Sequence, residues 1–140
     1  MKEIQKNFEK KGYVVVPGNK DLLNKIRKII FSIIKNNKKI KNKKENEENI
    51  TKILNNFHNY VSLKELNSLR FSIYKKINVG SVFSDIYYSI AKEYLDVLVG
   101  NELSMQKKIN LSIQMPKDKD SLLDLHSDIY AGESPFQVVV

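Results

Sequence analysis

The sequence contains no cysteine among its 140 residues. The chain can therefore form neither a disulfide nor a thiolate metal site, and this composition fits a reducing cytoplasm. It also lacks an apolar run long enough to cross a bilayer, and its N-terminal residues MKEIQKNFEKKG have no apolar centre like that of a secretory signal. These absences predict a cytoplasmic protein without a membrane partner.

Arginine is scarce, because Arg27 and Arg70 are the only two among 24 basic residues. The formal net charge of +8 invites a nucleic-acid interpretation. Arginine is, however, the preferred residue for bidentate contacts to phosphates and bases. Much of the excess charge lies in residues 35–44, KNNKKIKNKK, and runs of this kind are usually solvated surface. We therefore expect no nucleic-acid partner.

The length and the 41% of hydrophobic residues are enough for one domain with a core, which we place over residues 1–140. A short amphipathic helix is predicted to end at Gly12. Asp21 is the predicted N-cap of the next helix, and Ser62 with Glu65 forms a predicted capping box. Apolar residues at helical spacing predict four further helices, over about residues 22–34, 49–60, 62–76 and 81–99.

Residues 36–48 separate two of these helices and change from basic to acidic. They contain almost no apolar residue, so we interpret them as an exposed loop or a disordered link.

Strand patterns flank the helical region on both sides. Residues 13–16 form a short β-branched run that Pro17 and Gly18 end. Residues 108–115, KINLSIQM, alternate between apolar and polar, and residues 136–140, FQVVV, have the composition of a core strand. The order of elements predicts an α+β fold with helices packed on one side of a sheet.

The triplet His126, Ser127, Asp128 lies between the last two strand patterns. If it is extended, His126 and Asp128 leave the same face of the strand, about 7 Å apart at the backbone. An imidazole and a carboxylate are two of the three ligands in the facial triad that binds non-haem Fe(II). The alternative is a surface loop in which Asp128 caps a turn. The flanking strands favour the metal site.

Two blocks resemble the Fe(II)/2-oxoglutarate dioxygenases of the phytanoyl-CoA dioxygenase-like superfamily. They are Phe8 with residues 12–18, GYVVVPG, and residues 122–140, LLDLHSDIYAGESPFQVVV, together about a third of the chain. The resemblance implies that the helices pack on the first strands of an incomplete double-stranded β-helix, or jelly roll. It also implies that His126 and Asp128 bind Fe(II), that 2-oxoglutarate is the co-substrate, with Gln114 near it, and that a small molecule is hydroxylated.

The chain departs from this family in one important respect. Family members have a second metal-binding histidine and an arginine for 2-oxoglutarate downstream of the triplet, and no residue here matches either. We therefore interpret the chain as an inactive N-terminal fragment of such a dioxygenase. The competing interpretations are a non-enzymatic, basic helical interaction module and a cupin-like binder without catalysis.

Three other residues are weaker candidates for the metal site. His58 is the only other histidine, and its place on a predicted helix favours an exposed or packing role. Glu133 lies in a turn-rich loop, where a solvated carboxylate is the favoured interpretation. Asp124 lies two residues before His126, and we favour a loop-capping role for it over a hydrogen bond to a metal ligand.

Overall fold

The computed structural model describes residues 2–37, 39–100 and 102–116. Over these residues the chain forms five α-helices and one short 3-10 helix. None of these helices is long and apolar enough to cross a membrane. The α-helices are α1 (Lys2–Lys11), α2 (Lys20–Ile34), α3 (Glu47–Asn55), α4 (Leu63–Ile77) and α5 (Val82–Leu98), and the 3-10 helix is Phe57–Asn59.

Helix α2 is the centre of the arrangement. It contacts α3, α4 and α5, whereas α1 packs on α5. Its apolar residues recur at helical spacing and form one wide face, as predicted, and no polar or charged residue is buried in the described part of the chain. The buried core consists of Phe31, Ile34, Ile40, Ile50, Ile53, Phe57, Val61, Leu66, Ile73, Ile77, Phe83, Ile109 and Met115.

Two predicted helix ends are confirmed, and both depend on glycine. Gly12 follows α1 with a φ of 77°, and its N–H donates to the Phe8 carbonyl at 2.7 Å. Gly100 follows α5 with a φ of 87°. Glycine adopts this left-handed conformation without the steric penalty that a Cβ atom brings, so both helices end where the sequence predicts.

The start of α2 differs from the prediction by two residues. Asn19, not Asp21, is the N-cap: its backbone is extended, and its Oδ1 accepts hydrogen bonds from the N–H groups of Asp21 and Leu22, both at 3.1 Å. Asparagine and aspartate cap equally well, so composition alone did not separate the two positions. Asp21 instead lies in the first helical turn, where a carboxylate favours the positive end of the helix dipole.

We expect Asn19→Ala to lower the free energy of unfolding by about 1 kcal/mol, because it removes the acceptor for two N–H groups. The matched variant Asn19→Asp keeps an acceptor and should stay close to the parent. Urea unfolding followed by circular dichroism measures both. Equal stability of the alanine variant and the parent would contradict this assignment of the cap.

The third predicted helix, over residues 49–60, is shorter than expected. Helix α3 ends at Asn55, and Asn56 has a non-helical backbone. The Asn56 side chain donates through Nδ2 to the Lys52 carbonyl at 2.9 Å. Asparagine side chains compete in this way for the groups that would continue a helix, so the chain passes into the 3-10 turn instead.

The predicted capping box of α4 is confirmed. The Ser62 N–H and hydroxyl both donate to the Glu65 carboxylate, at 3.0 and 2.7 Å. Both hydrogen bonds lower the pKa of Glu65 below its usual value, and the bond from the Ser62 backbone has the larger effect. The ionised carboxylate therefore supports the helix start at neutral pH, and this support is lost as the pH falls through the lowered pKa.

The segment over residues 36–48 is not simply an exposed loop, because Ile40 is buried and Glu47 and Glu48 already belong to α3. Ile40 is 0% exposed and belongs to the core, although residues 41–48 beside it are exposed. Successive turns hold it in place, with the Ile40 N–H donating to the Asn37 carbonyl and the Lys43 N–H donating to the Ile40 carbonyl, both at 2.9 Å. Ile40 thus fixes the lysine-rich segment to the helical core.

The predicted α+β fold is wrong for the described residues, which contain helices and no strand. Residues 13–16 and 108–115, predicted as strands, lack regular secondary structure and pair with no neighbouring strand within the described part. Arg70 of α4 and Asn78, which follows α4, hold residues 108–115 by hydrogen bonds to the backbone of Ile113 and Ile109. The jelly-roll start is therefore not formed here. The predicted strand over residues 136–140 lies outside the described residues.

Candidate functional site

The two predicted iron ligands, His126 and Asp128, lie outside the described residues, as do Asp124 and Glu133. Within the described ranges, no group of three or more His, Cys, Asp or Glu residues is placed to hold a metal ion. His58 is exposed in the 3-10 helix, in keeping with the role predicted for it.

Residues 109–115, which lead toward the triplet, alternate in burial as their sequence predicts. Ile109 and Met115 are buried, and Leu111 and Ile113 are half-buried. The residues between them, Asn110, Ser112 and Gln114, are exposed. Gln114, predicted to lie near 2-oxoglutarate, is therefore on the outward side of this segment and is available to a ligand there.

Arg70 of α4 and Asn78, the C-cap of α4, fasten this segment to the helical core. The Ile109 N–H donates to Asn78 Oδ1 at 2.7 Å, and Asn78 Nδ2 donates to the Ile109 carbonyl at 3.0 Å. Arg70 donates through Nη2 to the Ile113 carbonyl. Asn78 thus serves both backbone groups of Ile109, as a neighbouring strand would. These contacts join residues 31 and 43 positions apart, so local sequence patterns gave no indication of them.

An open groove of about 410 Å³ lies between α4 and this segment, and we call it the α4 groove. Arg70 lies on one side of it, half-buried, with Nη1 donating to Asn67 Oδ1 at 3.3 Å. None of the residues that line it is acidic. The sequence marked Arg70 only as one of two arginines and gave it no role. The α4 groove is lined by Asn67, Arg70, Phe71, Tyr74, Asn110, Leu111 and Ser112.

A second cleft, of about 330 Å³, lies beside α5 and the start of α2. Lys92 donates to Asp96 at 2.6 Å on its surface, which raises the pKa of Lys92, so the two groups form an exposed ion pair four residues apart on one helix. Pairs of this kind contribute little to stability. Asp96 Oδ1 is buried and has no hydrogen-bond partner among the described residues, and Glu93 also lines this cleft.

No family model matches this chain, and neither the curated proteins nor the solved structures contain a significant match. The resemblance to dioxygenases therefore stays a prediction that rests on the quoted sequence blocks.

Proposed function

We propose that this chain contributes a helical layer and two iron ligands, His126 and Asp128, to a non-haem Fe(II)/2-oxoglutarate-dependent dioxygenase. Its substrate would be a small molecule and its location the cytoplasm. The proposal rests on the spacing of the imidazole and the carboxylate in the triplet. The absence of cysteine supports the cytoplasmic location.

The structural observation that carries the proposal is the alternating burial of residues 109–115. One side of this segment packs on the core through Ile109 and Met115, while Asn110, Ser112 and Gln114 face outward. The segment therefore presents polar side chains on its outward side, and polar groups of this kind orient bound ligands in small-molecule sites. In the resembled family, a strand before the iron-binding triplet lines the co-substrate pocket, whereas residues 109–115 are not a strand in this structure.

Each residue has a definite role in this proposal. His126 and Asp128 hold the iron, and Gln114 contacts 2-oxoglutarate. Bound Fe(II) would supply the oxidising chemistry, in which O₂ and 2-oxoglutarate are consumed, succinate and CO₂ are released, and a C–H bond of the substrate is hydroxylated. No residue of this chain is assigned as the third ligand or as the arginine for the distal carboxylate.

The 140-residue chain should therefore bind Fe(II) weakly and show no turnover of 2-oxoglutarate. Anaerobic titration with Fe(II), or with an inert divalent mimic, should give weak saturable binding that Asp128→Ala removes. The matched control Glu133→Ala removes a nearby carboxylate that the proposal does not use, so its binding should equal that of the parent. Identical binding by the parent and the Asp128 variant would count against the metal site.

A second function, a non-enzymatic interaction module, is favoured by a separate observation. Large apolar residues are exposed on the described helical part, among them Val15 at 87%, Val79 at 75% and Val82 at 66%, and the net charge is +8. Exposed apolar residues on a chain of positive net charge suit an acidic protein partner. This alternative predicts the same thermal unfolding with and without divalent metal, and no effect of Asp128→Ala.

A further inference from the structure

The α4 groove combines a half-buried cation with exposed aromatic surface, and we propose that it binds a small organic anion. Arg70 would anchor the charged group, and Phe71 and Tyr74 would contact the apolar body of the ligand. The groove is built from described residues alone and needs no metal. The proposal is therefore independent of the dioxygenase function, and either can fail without the other.

Arg70 is the residue that points to an anion. Its guanidinium donates to two neutral acceptors, Asn67 Oδ1 and the Ile113 carbonyl, and no carboxylate pairs with it among the described residues. Arginine has five N–H donors in a planar fork, so donors remain for a ligand. A partly buried charge without a counterion is costly, and an anion in the groove would offset that cost.

The aromatic side of the groove indicates that the anion carries an apolar body. Phe71 is 59% exposed, and Tyr74 lies one turn further along α4. Lys75 places its Nζ 4.4 Å from the centre of the Phe71 ring, which adds a second cation beside the groove. An exposed aromatic ring with a lysine over its face, in a groove that also contains Arg70, favours a ligand with a negative group and a flat or aliphatic part.

The size of the groove restricts the ligand further. Its volume of about 410 Å³ is near the lower end of the range for small-molecule sites. Carboxylates and phosphate monoesters both accept paired hydrogen bonds from arginine, so both have the required chemistry. Asn110 and Ser112, from the opposite wall, offer neutral polar groups for the remainder of such a ligand.

Heteronuclear NMR titration of the full 140-residue chain, without metal, tests this proposal. The probes are benzoate and phenyl phosphate, with inorganic phosphate and benzyl alcohol as comparisons that lack the ring or the charge. We expect saturable shifts of amides lining the groove with benzoate, phenyl phosphate or both, and the tighter of the two identifies the preferred anionic group. Saturation by benzyl alcohol, or equal binding of inorganic and phenyl phosphate, would overturn the proposal, as would no saturable shift with either organic anion.

Variants locate the binding to Arg70. Arg70→Gln keeps a side-chain N–H donor, although a shorter one, but removes the charge, and it should weaken binding of the organic anion about tenfold or more. Arg27→Gln is the matched control, because Arg27 is also half-buried and donates to an asparagine three residues earlier, Asn24, at 3.0 Å. It should leave the affinity unchanged. Equal weakening by both variants would show a general charge effect and would overturn the proposal.

Phe71→Ala provides a test that does not depend on the stability of the Arg70 variant, because the Phe71 side chain is largely exposed. We expect it to weaken binding of the tighter of the two organic anions about threefold to tenfold and to leave any binding of inorganic phosphate unaffected. Unchanged affinity for that organic anion in this variant would exclude the aromatic contact on which the proposal depends.

Discussion

Replacing Ile40 by alanine is expected to lower the free energy of unfolding by about 2–5 kcal/mol. The side chain is 0% exposed and packs in the core, so its truncation leaves a cavity in addition to losing buried apolar area. Thermal or urea unfolding followed by circular dichroism measures the loss. Ile40→Val removes a single methyl group and should cost about 0.5–1.5 kcal/mol, which gives a graded series at one position.

The control for this prediction is Lys41→Ala, one residue along the same segment. Lys41 is exposed, so its truncation should change the free energy of unfolding by less than about 0.5 kcal/mol. Limited digestion with trypsin adds a local measurement, because the segment contains many lysines. The Ile40 variant should be cut there faster than the parent. If Ile40→Ala were as stable as Lys41→Ala, residues 36–48 would be the loose link that their composition suggests.

The helices could be predicted from the sequence because their determinants are local. Periodic apolar residues define α2 and α5, the pair Ser62 and Glu65 defines the start of α4, and Gly12 defines the end of α1. Each of these features acts within one or two helical turns. The errors at helix ends were of one or two residues where two residues of similar chemistry competed, or longer where an asparagine interrupted the helix, as after α3.

Contacts between distant residues could not be predicted in this way. Ile40 is one apolar residue in a polar run, and a composition average over such a run hides it. For residues 109–115, the alternating pattern correctly predicts which side chains are buried. A period of two does not specify what bonds the backbone, however. Here the side chains of Asn78 and Arg70 bond the backbone of Ile109 and Ile113. The burial pattern was therefore predicted correctly, but the prediction that this segment belongs to a sheet was wrong.

The same distinction between local and long-range determinants applies to the two candidate sites. His126 and Asp128 were recognised because two ligand residues lie two positions apart in sequence, and they remain a prediction. The α4 groove was missed because its walls come from residues 67–74 and 110–112, which only the fold brings together. A role for Arg70 in anion binding is indicated only by the folded structure, in which Arg70 donates to the Ile113 carbonyl and no acidic residue lines the groove.

Removal of the Asn78 side chain is expected to release residues 109–115 from the helical core. Asn78→Ala deletes the acceptor for the Ile109 N–H and the donor to its carbonyl, and Ile109 is buried. Each buried backbone group left without a partner costs about 1–3 kcal/mol, so we expect a total loss of about 2–4 kcal/mol. Amide hydrogen exchange measured by NMR should rise at Ile109, whose N–H donates to Asn78, more than in α2.

The variant Asn78→Asp separates this hydrogen-bond mechanism from a general loss of packing. It keeps the acceptor for the Ile109 N–H but places a carboxylate oxygen against the Ile109 and Tyr74 carbonyls, which Asn78 Nδ2 contacts at 3.0 and 2.8 Å. Repulsion would raise the pKa of the new carboxyl group, so relative to the parent its destabilisation should shrink as the pH falls toward about 4, where the protonated group can donate again. Asn110→Ala, on an exposed position of the same segment, should leave stability and exchange unchanged. A pH-independent loss in Asn78→Asp, equal to that of Asn78→Ala, would mean that shape rather than hydrogen bonding at Asn78 holds the segment in place.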